Sequence, residues 1–359
     1  MQLVAMGAQD VYLTGNPQIT FFKVVYRRHT NFSKEAIEQT FNGSVGTDGK
    51  GTINCTLSRN GDLVQEIYLT GSVSNLHATE DATRVIKSVE VEIGGQKIDK
   101  HYGEWLDIYN ELFETESSHP RRFLMSGTTL YIPLRFWFNR NPGLALPLIA
   151  LQYHEVKINV ECQPIAAALI QNAADAVLTS PKLLVNYLYL DTDERRRFAQ
   201  VSHEYLIEQV QHTGVETKAK ITMNFNHPVK ALFWTNFGAN ITDNTKLQLN
   251  GHDRFSEQAH DFFHLVQPYE CGLGHGLVLN TNDRTWDAVG ATTTHMNVGM
   301  YSFCLKPAEH QPSGTCNFSR IDNAVLNLGN IGSGSVYLFA MNYNVLRIMS
   351  GMGGLAYSN

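Results

Sequence analysis

The sequence predicts an almost all-β chain of two tandem eight-stranded antiparallel jelly rolls with a few short helices. Three observations support this fold class. The length of 359 residues suits about two domains. Short segments of strict apolar–polar alternation recur along the chain. The two halves also resemble each other, element by element and in the same order.

The alternating segments are typical of strands with one buried face. They occur in both halves, at residues 52–57, 89–93, 156–160, 220–225, 246–249 and 324–328. The dipeptides Gly94-Gly95 and Asn250-Gly251 directly follow two of these segments, and both tolerate the positive φ angles of a type I′ turn. We therefore expect a β-hairpin at each of these two positions.

Helical signals are few. Residues 102–116 place apolar side chains at i, i+3, i+4, i+7 and i+8, starting at Trp105, which predicts an amphipathic helix. A weaker pattern predicts a second helix at 256–265. The alanine-rich residues 165–177 suit either a helix or a long loop, and the polar, glycine-containing residues 271–300 suit a surface loop with room for a short strand.

The internal repeat is visible as matches at nearly constant spacing. Ile37-Glu-Gln39 recurs as Ile207-Glu-Gln209, 170 residues later, and the strand at 52–57 recurs 168 residues later. The hairpin segment at 91–96 recurs after 156 residues, which indicates a shorter loop in the second half. Several matches in one order indicate duplication of a unit of about 165 residues.

The repeat divides the chain into four parts. We expect an N-terminal extension at residues 1–25, a first jelly roll at 26–190, a hinge at 191–202 and a second jelly roll at 203–359. The hinge prediction depends on the charged stretch LDTDERRRFAQVS, which interrupts the strand pattern.

Composition excludes several classes of protein. The formal net charge of −6 does not attract a polyanion over the whole surface, so direct nucleic-acid binding is not expected. The five cysteines show no C-x-x-C spacing, which favours reduced thiols and a reducing compartment. The N-terminus has no secretory signal pattern, and the longest apolar run, 144–151, is too short to span a membrane.

No pattern of catalytic or metal-binding residues stands out. His154-Glu155 and His203-Glu204 lack the second histidine of a zincin motif, and no P-loop or nucleophile-elbow sequence occurs. The acidic pairs Asp191/Asp193 and Glu114/Glu116 are more typical of solvated faces than of a glycosidase site. We therefore expect no enzyme activity, no cofactor and no metal.

Three short basic clusters lie beside aromatic residues and are candidate subunit contacts. Solvated faces, intramolecular ion pairs and nucleic-acid contacts are the alternatives, of which the last fits an acidic chain least. The candidate contact residues are Arg27, Arg28, Arg121, Arg122, Arg195 and Arg196.

Several long stretches of the chain are distinctive in sequence. They include GAQDVYLTGNPQITFFK at residues 7–23, YRRHTNF at 26–32, IGGQKIDKHY at 93–102, PGLALPLIALQYHEV at 142–156, QPSGTCNFSRID at 311–322 and NYNVLRIMSGMGGLA at 342–356. These stretches resemble the major capsid proteins of nucleocytoplasmic large DNA viruses, in particular those of chloroviruses and other phycodnaviruses. They are distributed along the whole chain and are long, so the resemblance is specific.

The resemblance implies a double jelly roll that forms a homotrimer, in which six rolls make a pseudo-hexagonal capsomer of an icosahedral shell. It also implies contacts with neighbouring capsomers and with minor capsid proteins beneath the shell, possible glycans on surface loops, and a location in the virion after assembly in the host cytoplasm. The short stretch between Phe225 and Lys246 leaves little room for long external loops.

Two alternatives stay open from the sequence. The shortened second half also suits a minor capsid-protein variant at special lattice positions. A double-sandwich protein that binds or processes glycans is the remaining possibility, since sandwiches host such functions as well.

Overall fold

A computed structural model of the chain describes residues 7–75, 82–113, 125–166, 174–237, 241, 244–274, 298–332 and 334–357. The chain divides into an N-terminal segment, residues 1–31, and a body, residues 32–359. The described part of the N-terminal segment contains a single short helix, α1 (Asp10–Thr14). Among the described residues, no helix is long and apolar enough to cross a membrane.

The first half of the body contains strands β1–β10. Their bounds are β1 (Phe32–Thr40), β2 (Gly51–Thr56), β3 (Leu63–Ser74), β4 (Ile86–Ile93), β5 (Gln96–Tyr102), β6 (Met125–Ser126), β7 (Thr129–Pro133), β8 (Leu146–Pro147), β9 (Val156–Cys162) and β10 (Val177–Leu190). Helix α2 (Gly103–Phe113) follows β5, α3 (Trp137–Arg140) follows β7, and two 3-10 turns lie at Ala82–Val85 and Pro142–Leu144.

The second half contains strands β11–β20. Their bounds are β11 (His203–Glu216), β12 (Lys220–Met223), β13 (Pro228–Phe237), β14 (Lys246–Leu249), β15 (His252–Asp253), β16 (Val298–Ser302), β17 (Cys316–Asn317), β18 (Ala324–Asn327), β19 (Ser335–Met349) and β20 (Met352–Leu355). Helix α4 (Thr192–Gln200) joins the halves; a π-helix (Phe262–Val266) runs directly into α5 (Gln267–Glu270), and a 3-10 turn lies at Phe318–Arg320.

Each half folds as a sandwich of two antiparallel sheets with the same strand order. In the first half the orders are β1-β10-β3-β7 and β2-β9-β4-β5; in the second they are β11-β19-β13-β16 and β12-β18-β14-β15. The short strands β6 and β8 extend the first large sheet, and β17 and β20 extend the second. Eight strands in this order make a jelly roll, so the double jelly roll and the duplication are confirmed.

The register reproduces the sequence repeat. Val91 of β4 lies opposite Ile158 of β9, and Leu247 of β14 lies opposite Leu326 of β18. Gly94-Gly95 and Asn250-Gly251 have positive φ angles at the tips of the β4–β5 and β14–β15 hairpins, as predicted. Gly94 also lies so close to the imidazole of His154 that a Cβ atom would clash with it.

The predicted helix at 102–116 is present as α2, and the segment 262–270 is its counterpart between β15 and β16. The prediction of a helix at 256–265 was wrong in its bounds, because this segment is helical through Glu270. The residues 191–202, predicted as a hinge, contain α4, whose N-terminus is capped by the carboxylate of Asp191 through the Thr192 N–H. The predicted domain boundaries stay predictions.

Two predicted loops lie mainly outside the described residues. The described ends of the alanine-rich stretch meet in a bridge between Ile165 and Ala176, while 167–173 are not described. Residues 275–297 of the predicted 271–300 loop are not described either, and β16 begins at its end. Between β13 and β14 only eight residues remain, from 238 to 245, which agrees with the expected short connection.

Candidate assembly surfaces

The candidate arginines lie in different environments. Arg27 and Arg28 are exposed on the N-terminal segment. Arg195 on α4 forms an ion pair with Asp62 of the first roll at 3.0 Å, and the other oxygen of Asp62 accepts the Leu190 N–H. Arg196, on the same helix, is exposed. Arg195 thus already has an intramolecular partner, while the role of these arginines as subunit contacts stays a prediction; Arg121 and Arg122 lie outside the described residues.

The N-terminal segment is rich in exposed apolar side chains, which the sequence analysis did not identify. Phe22 is 99% exposed and Tyr12 is 92% exposed. Further exposed apolar residues are Val11, Leu13, Ile19, Phe21, Val24, Val25 and Tyr26. A surface so rich in large apolar side chains is typical of a contact with another molecule. The signal in the sequence was the run Ile19-Thr-Phe-Phe-Lys-Val-Val-Tyr26, which lacks the alternation of a half-buried strand.

The two rolls join through helix α2. Its apolar side chains Trp105, Ile108 and Leu112 are fully buried. They pack on the outer face of the second roll's large sheet, the face turned away from that roll's own core, where β11, β13, β16 and β19 contribute Val210, Ala231, Phe233, Val298, Met300, Phe339 and Met341. The amphipathic pattern of α2 therefore serves the contact between the rolls.

Buried charges lie beside this helix. One carboxylate oxygen of Glu208 (β11) accepts from Nη1 of Arg140 (α3), and the other accepts from Nζ of Lys230 (β13), both at 2.6 Å. Lys230 is 1% exposed and also donates to the Glu309 carbonyl. Arg140 belongs to the first roll and Lys230 to the second, so Glu208 joins the two. Such a cluster is costly to disrupt because the remaining charges would be buried without a partner.

Hydrogen bonds between side chains and the backbone reinforce the same junction. The carboxylate of Asp99 on β5 accepts the Val210 N–H at 3.1 Å, and the amide of Gln209 donates to the Ile98 carbonyl. The ends of β11 and β19 extend past their own roll, and Leu346 and Ile348 join the first roll's core. The body is therefore held as one compact unit with a largely apolar junction.

Three of the residues considered for catalysis have structural partners. Nδ1 of His154 is 3.0 Å from the Gly353 carbonyl, and the ring of His203 stacks on Phe198. Asp191 caps α4, and Glu114 and Glu116 lie outside the described residues. In the described parts of the chain, no three His, Cys, Asp or Glu residues are grouped to hold a metal ion. Burial raises the pKa of the Cys162 thiol to about 11, so this thiol is not activated as a nucleophile.

Comparison with known proteins identifies the family. Residues 20–192 match the family described as major capsid protein N-terminus, and residues 194–237 and 283–354 match the large eukaryotic DNA virus major capsid protein. The intervening residues 238–282 do not match the second family. They contain β14, β15 and the 262–270 segment.

Curated relatives match over the whole chain. The major capsid protein of Pyramimonas orientalis virus is 54% identical, and that of Paramecium bursaria Chlorella virus 1 is 42% identical. Each alignment covers 100% of this chain and 99% of the relative. The alignments extend over 398 and 451 positions against 359 residues here, so these relatives carry additional residues.

Solved structures agree. A chain in a quasi-atomic model of the PBCV-1 virus capsid is 37% identical, with a TM-score of 0.76 over 95% of this chain and 100% of that chain. The Faustovirus major capsid protein, at 11% identity and a TM-score of 0.70 over 96% of this chain and 94% of that chain, shares the fold. The chain therefore belongs to the major capsid proteins of large eukaryotic DNA viruses, and its role is structural, in the shell of the virion.

Proposed function

We propose that three copies of this chain form a homotrimeric capsomer with a pseudo-hexagonal outline, which tiles an icosahedral shell beside neighbouring capsomers. The observation that carries the proposal is the identical strand order of the two rolls, which are fixed to each other through a buried junction. Three copies then present six similar rolls around one axis. A sixfold block covers a surface with closely similar contacts on each edge.

The proposal assigns the N-terminal segment to a second kind of contact. Its exposed apolar side chains suit minor capsid proteins beneath the shell, and Arg27 and Arg28 would add charged contacts. Arg121, Arg122, Arg195 and Arg196 are proposed to contact other subunits. The net charge of −6 supports a shell protein that does not bind nucleic acid directly. Assembly in the host cytoplasm and glycans on surface loops complete the proposal.

Negative-stain imaging of the purified chain tests the capsomer. We expect particles with a six-lobed, near-hexagonal outline and threefold symmetry in class averages. Particles of the size of one double jelly roll, at concentrations that favour assembly, would contradict the proposal.

Deletion of residues 1–25 tests the role of the N-terminal segment. Because the body begins at Phe32, we expect the trimer to survive and assembly into larger arrays with minor capsid proteins to fail. Unchanged assembly would count against the assigned role. A matched variant replaces the exposed Phe21 and Phe22 by serine and retains the length of the segment. If the apolar side chains make the contact, this variant should fail in the same assembly step.

One observation favours the alternative of a minor variant. The match to the large eukaryotic DNA virus family does not include residues 238–282, and the alignments to two relatives are longer than this chain. Copy number separates the two roles: quantitative mass spectrometry of purified virions should find this chain as the most abundant shell protein. A low copy number would favour the minor variant. Family membership favours either capsid role over glycan binding or processing.

A further inference from the structure

The two large sheets present their outer faces differently. The second roll's outer face is covered by α2 of the first roll. In the first roll, the matching sheet β1-β10-β3-β7 turns Tyr68, Tyr131 and Leu184 outward, since their neighbours along each strand point into the core. Tyr131 is 41% exposed, and Tyr68 and Leu184 are half-buried. We call these three residues the first-roll face.

The three side chains of the first-roll face are adjacent. Leu184 of β10 lies opposite Tyr68 of β3, and Tyr131 of β7 lies opposite Thr70, two positions along β3. Side chains at directly opposite and diagonal positions of a sheet contact each other. Tyrosine is enriched at protein–protein interfaces because it combines a large apolar ring with a polar tip.

The counterpart of α2 in the second roll is the helical segment 262–270. It lies between β15 and β16, as α2 lies between β5 and β7. Phe263 anchors it: this side chain is fully buried, with its ring 5.4 Å from that of Trp234. The Gln267 side chain also accepts the Ser302 N–H of β16 at 3.3 Å. The segment is thus fixed to its own roll.

This anchored segment turns two apolar side chains to the outside. Val266 is 41% exposed and Tyr269 is 75% exposed. They are three residues apart, so they lie on the same side of the helical segment. In α2, apolar residues at comparable spacing, Trp105 and Ile108, are fully buried by the second roll. The segment 262–270 is therefore similar to α2, but no sheet among the described residues covers its exposed apolar side chains Val266 and Tyr269.

We propose that Val266 and Tyr269 of one copy pack on Tyr68, Tyr131 and Leu184 of a second copy. This inference rests on the proposed trimer and identifies the contact that forms it. A copy carries one such segment and one such face, so the contact is head-to-tail and can close a ring. Around a trimer, it would alternate with the internal contact of α2 on the second roll, giving six similar contacts between six rolls.

Substitution of Tyr269 tests the contact. Tyr269→Asp would place a charge in the apolar contact and remove a large ring, so we expect the concentration at which trimers dissociate to rise at least about tenfold. The matched control is Tyr153→Asp, which changes a tyrosine that is 76% exposed on another part of the first roll. Sedimentation velocity over a dilution series measures both. Equal trimer stability for Tyr269→Asp and wild type would overturn the inference.

Cross-linking between different copies gives an independent test. One preparation carries Tyr131→Cys and a second carries Tyr269→Cys; they are mixed, allowed to exchange subunits and treated with a short bismaleimide. Both preparations also carry Cys271→Ser and Cys316→Ser, which remove the two half-buried native thiols, so we expect cross-linked dimers in the mixture and none in either preparation alone. Replacing the second preparation by Tyr153→Cys is the control.

The outcomes distinguish failure of the capsomer from failure of this contact. A wild-type chain that never forms trimers would overturn both the proposed capsomer and this contact. A stable wild-type trimer without cross-links between positions 131 and 269, together with an unaffected Tyr269→Asp trimer, would overturn the contact and leave the capsomer standing.

Discussion

The outer faces of the two large sheets have the same strand order, but the face of the first roll is more polar. In the second roll the face is built from Ala, Val, Met and Phe side chains and is covered by α2. In the first roll it carries the exposed ion pairs Lys34–Glu66 and Lys182–Glu38 around Tyr131. A face that is covered within one chain never meets water after folding, whereas a face that meets another copy must first be soluble. In the proposed trimer, the two rolls differ at this face because one is covered by α2 of the same chain and the other meets a second copy.

The largest effect is expected at the covered face. Trp105→Ala removes the fully buried ring that packs on Phe233 and Phe339, so we expect the free energy of unfolding to fall by about 3–5 kcal/mol. Tyr131→Ala on the open face should change the stability of the dissociated chain by less than about 1 kcal/mol. Urea denaturation of both variants, at protein concentrations too low for trimers to form, measures the difference in the free energy of unfolding. Equal losses of stability for the two variants would contradict the difference in burial between the two faces.

A similar contrast is expected for the charges. Glu208→Gln leaves Lys230 and Arg140 buried without their carboxylate partner, which should cost about 3–5 kcal/mol. Thermal and urea unfolding at neutral pH measure the loss. Restored stability in the double variant Glu208→Gln, Lys230→Met would attribute the loss to the uncompensated cation. A loss below about 1 kcal/mol for Glu208→Gln alone would show that the cluster is hydrated.

Acid should weaken the second roll at its helical segment. Burial lowers the pKa of His260 to about 4 from its ordinary 6.5, and the neighbouring His264 contributes. In the unfolded chain, His260 therefore becomes protonated near pH 6.5, whereas in the folded chain it becomes protonated only near pH 4. Stability from this group is complete above pH 6.5 and is lost as the pH falls through that window, by about 3 kcal/mol at its lower end.

The variant His260→Phe isolates this effect. It should reduce the pH dependence of unfolding between pH 6.5 and 4, because phenylalanine does not titrate and its ring suits a buried site beside Trp234. The control variant His29→Phe makes the same substitution at an exposed histidine of the N-terminal segment. A wild-type profile that is flat across the same range would contradict the assignment.

The smallest effect is expected at the open face. Lys182→Met removes an exposed partner of Glu38, 2.9 Å away, and should change stability by less than about 1 kcal/mol. High salt should reduce even this difference, since the pair is solvated. A loss comparable to that of Glu208→Gln would show that the first-roll sheet is more buried than its exposure indicates.

The sequence predicted those parts of the fold whose signals are local. The hairpin turns need only two residues that tolerate positive φ, and the amphipathic stripe of α2 is complete within eleven residues. The charged helix α4 was missed although its cap Asp191 and the acidic residues Asp193 and Glu194 of its first turn are typical of a helix start. Helix α4 has no buried residues, so the sequence showed no amphipathic pattern that would predict it.

The parts that escaped prediction depend on distant contacts. Strand β19 has no simple alternation because both of its faces are buried along much of its length. One face lies in its own core, with Leu338 and Ala340, and the other lies under α2, with Phe339 and Met341. Nothing near β19 in the sequence indicates that a helix about 230 residues earlier covers it. The exposure of Val266 and Tyr269 could likewise not be predicted from the sequence, because it depends on which apolar residues the fold leaves in contact with solvent.

Sedimentation equilibrium of the full chain tests whether the first-roll face binds a second copy. We expect a dominant species with three times the 40.3 kDa mass of one chain, which dissociates on dilution without unfolding. A single species of 40.3 kDa at all accessible concentrations would contradict the claim that the open face of the first roll is built for a second copy.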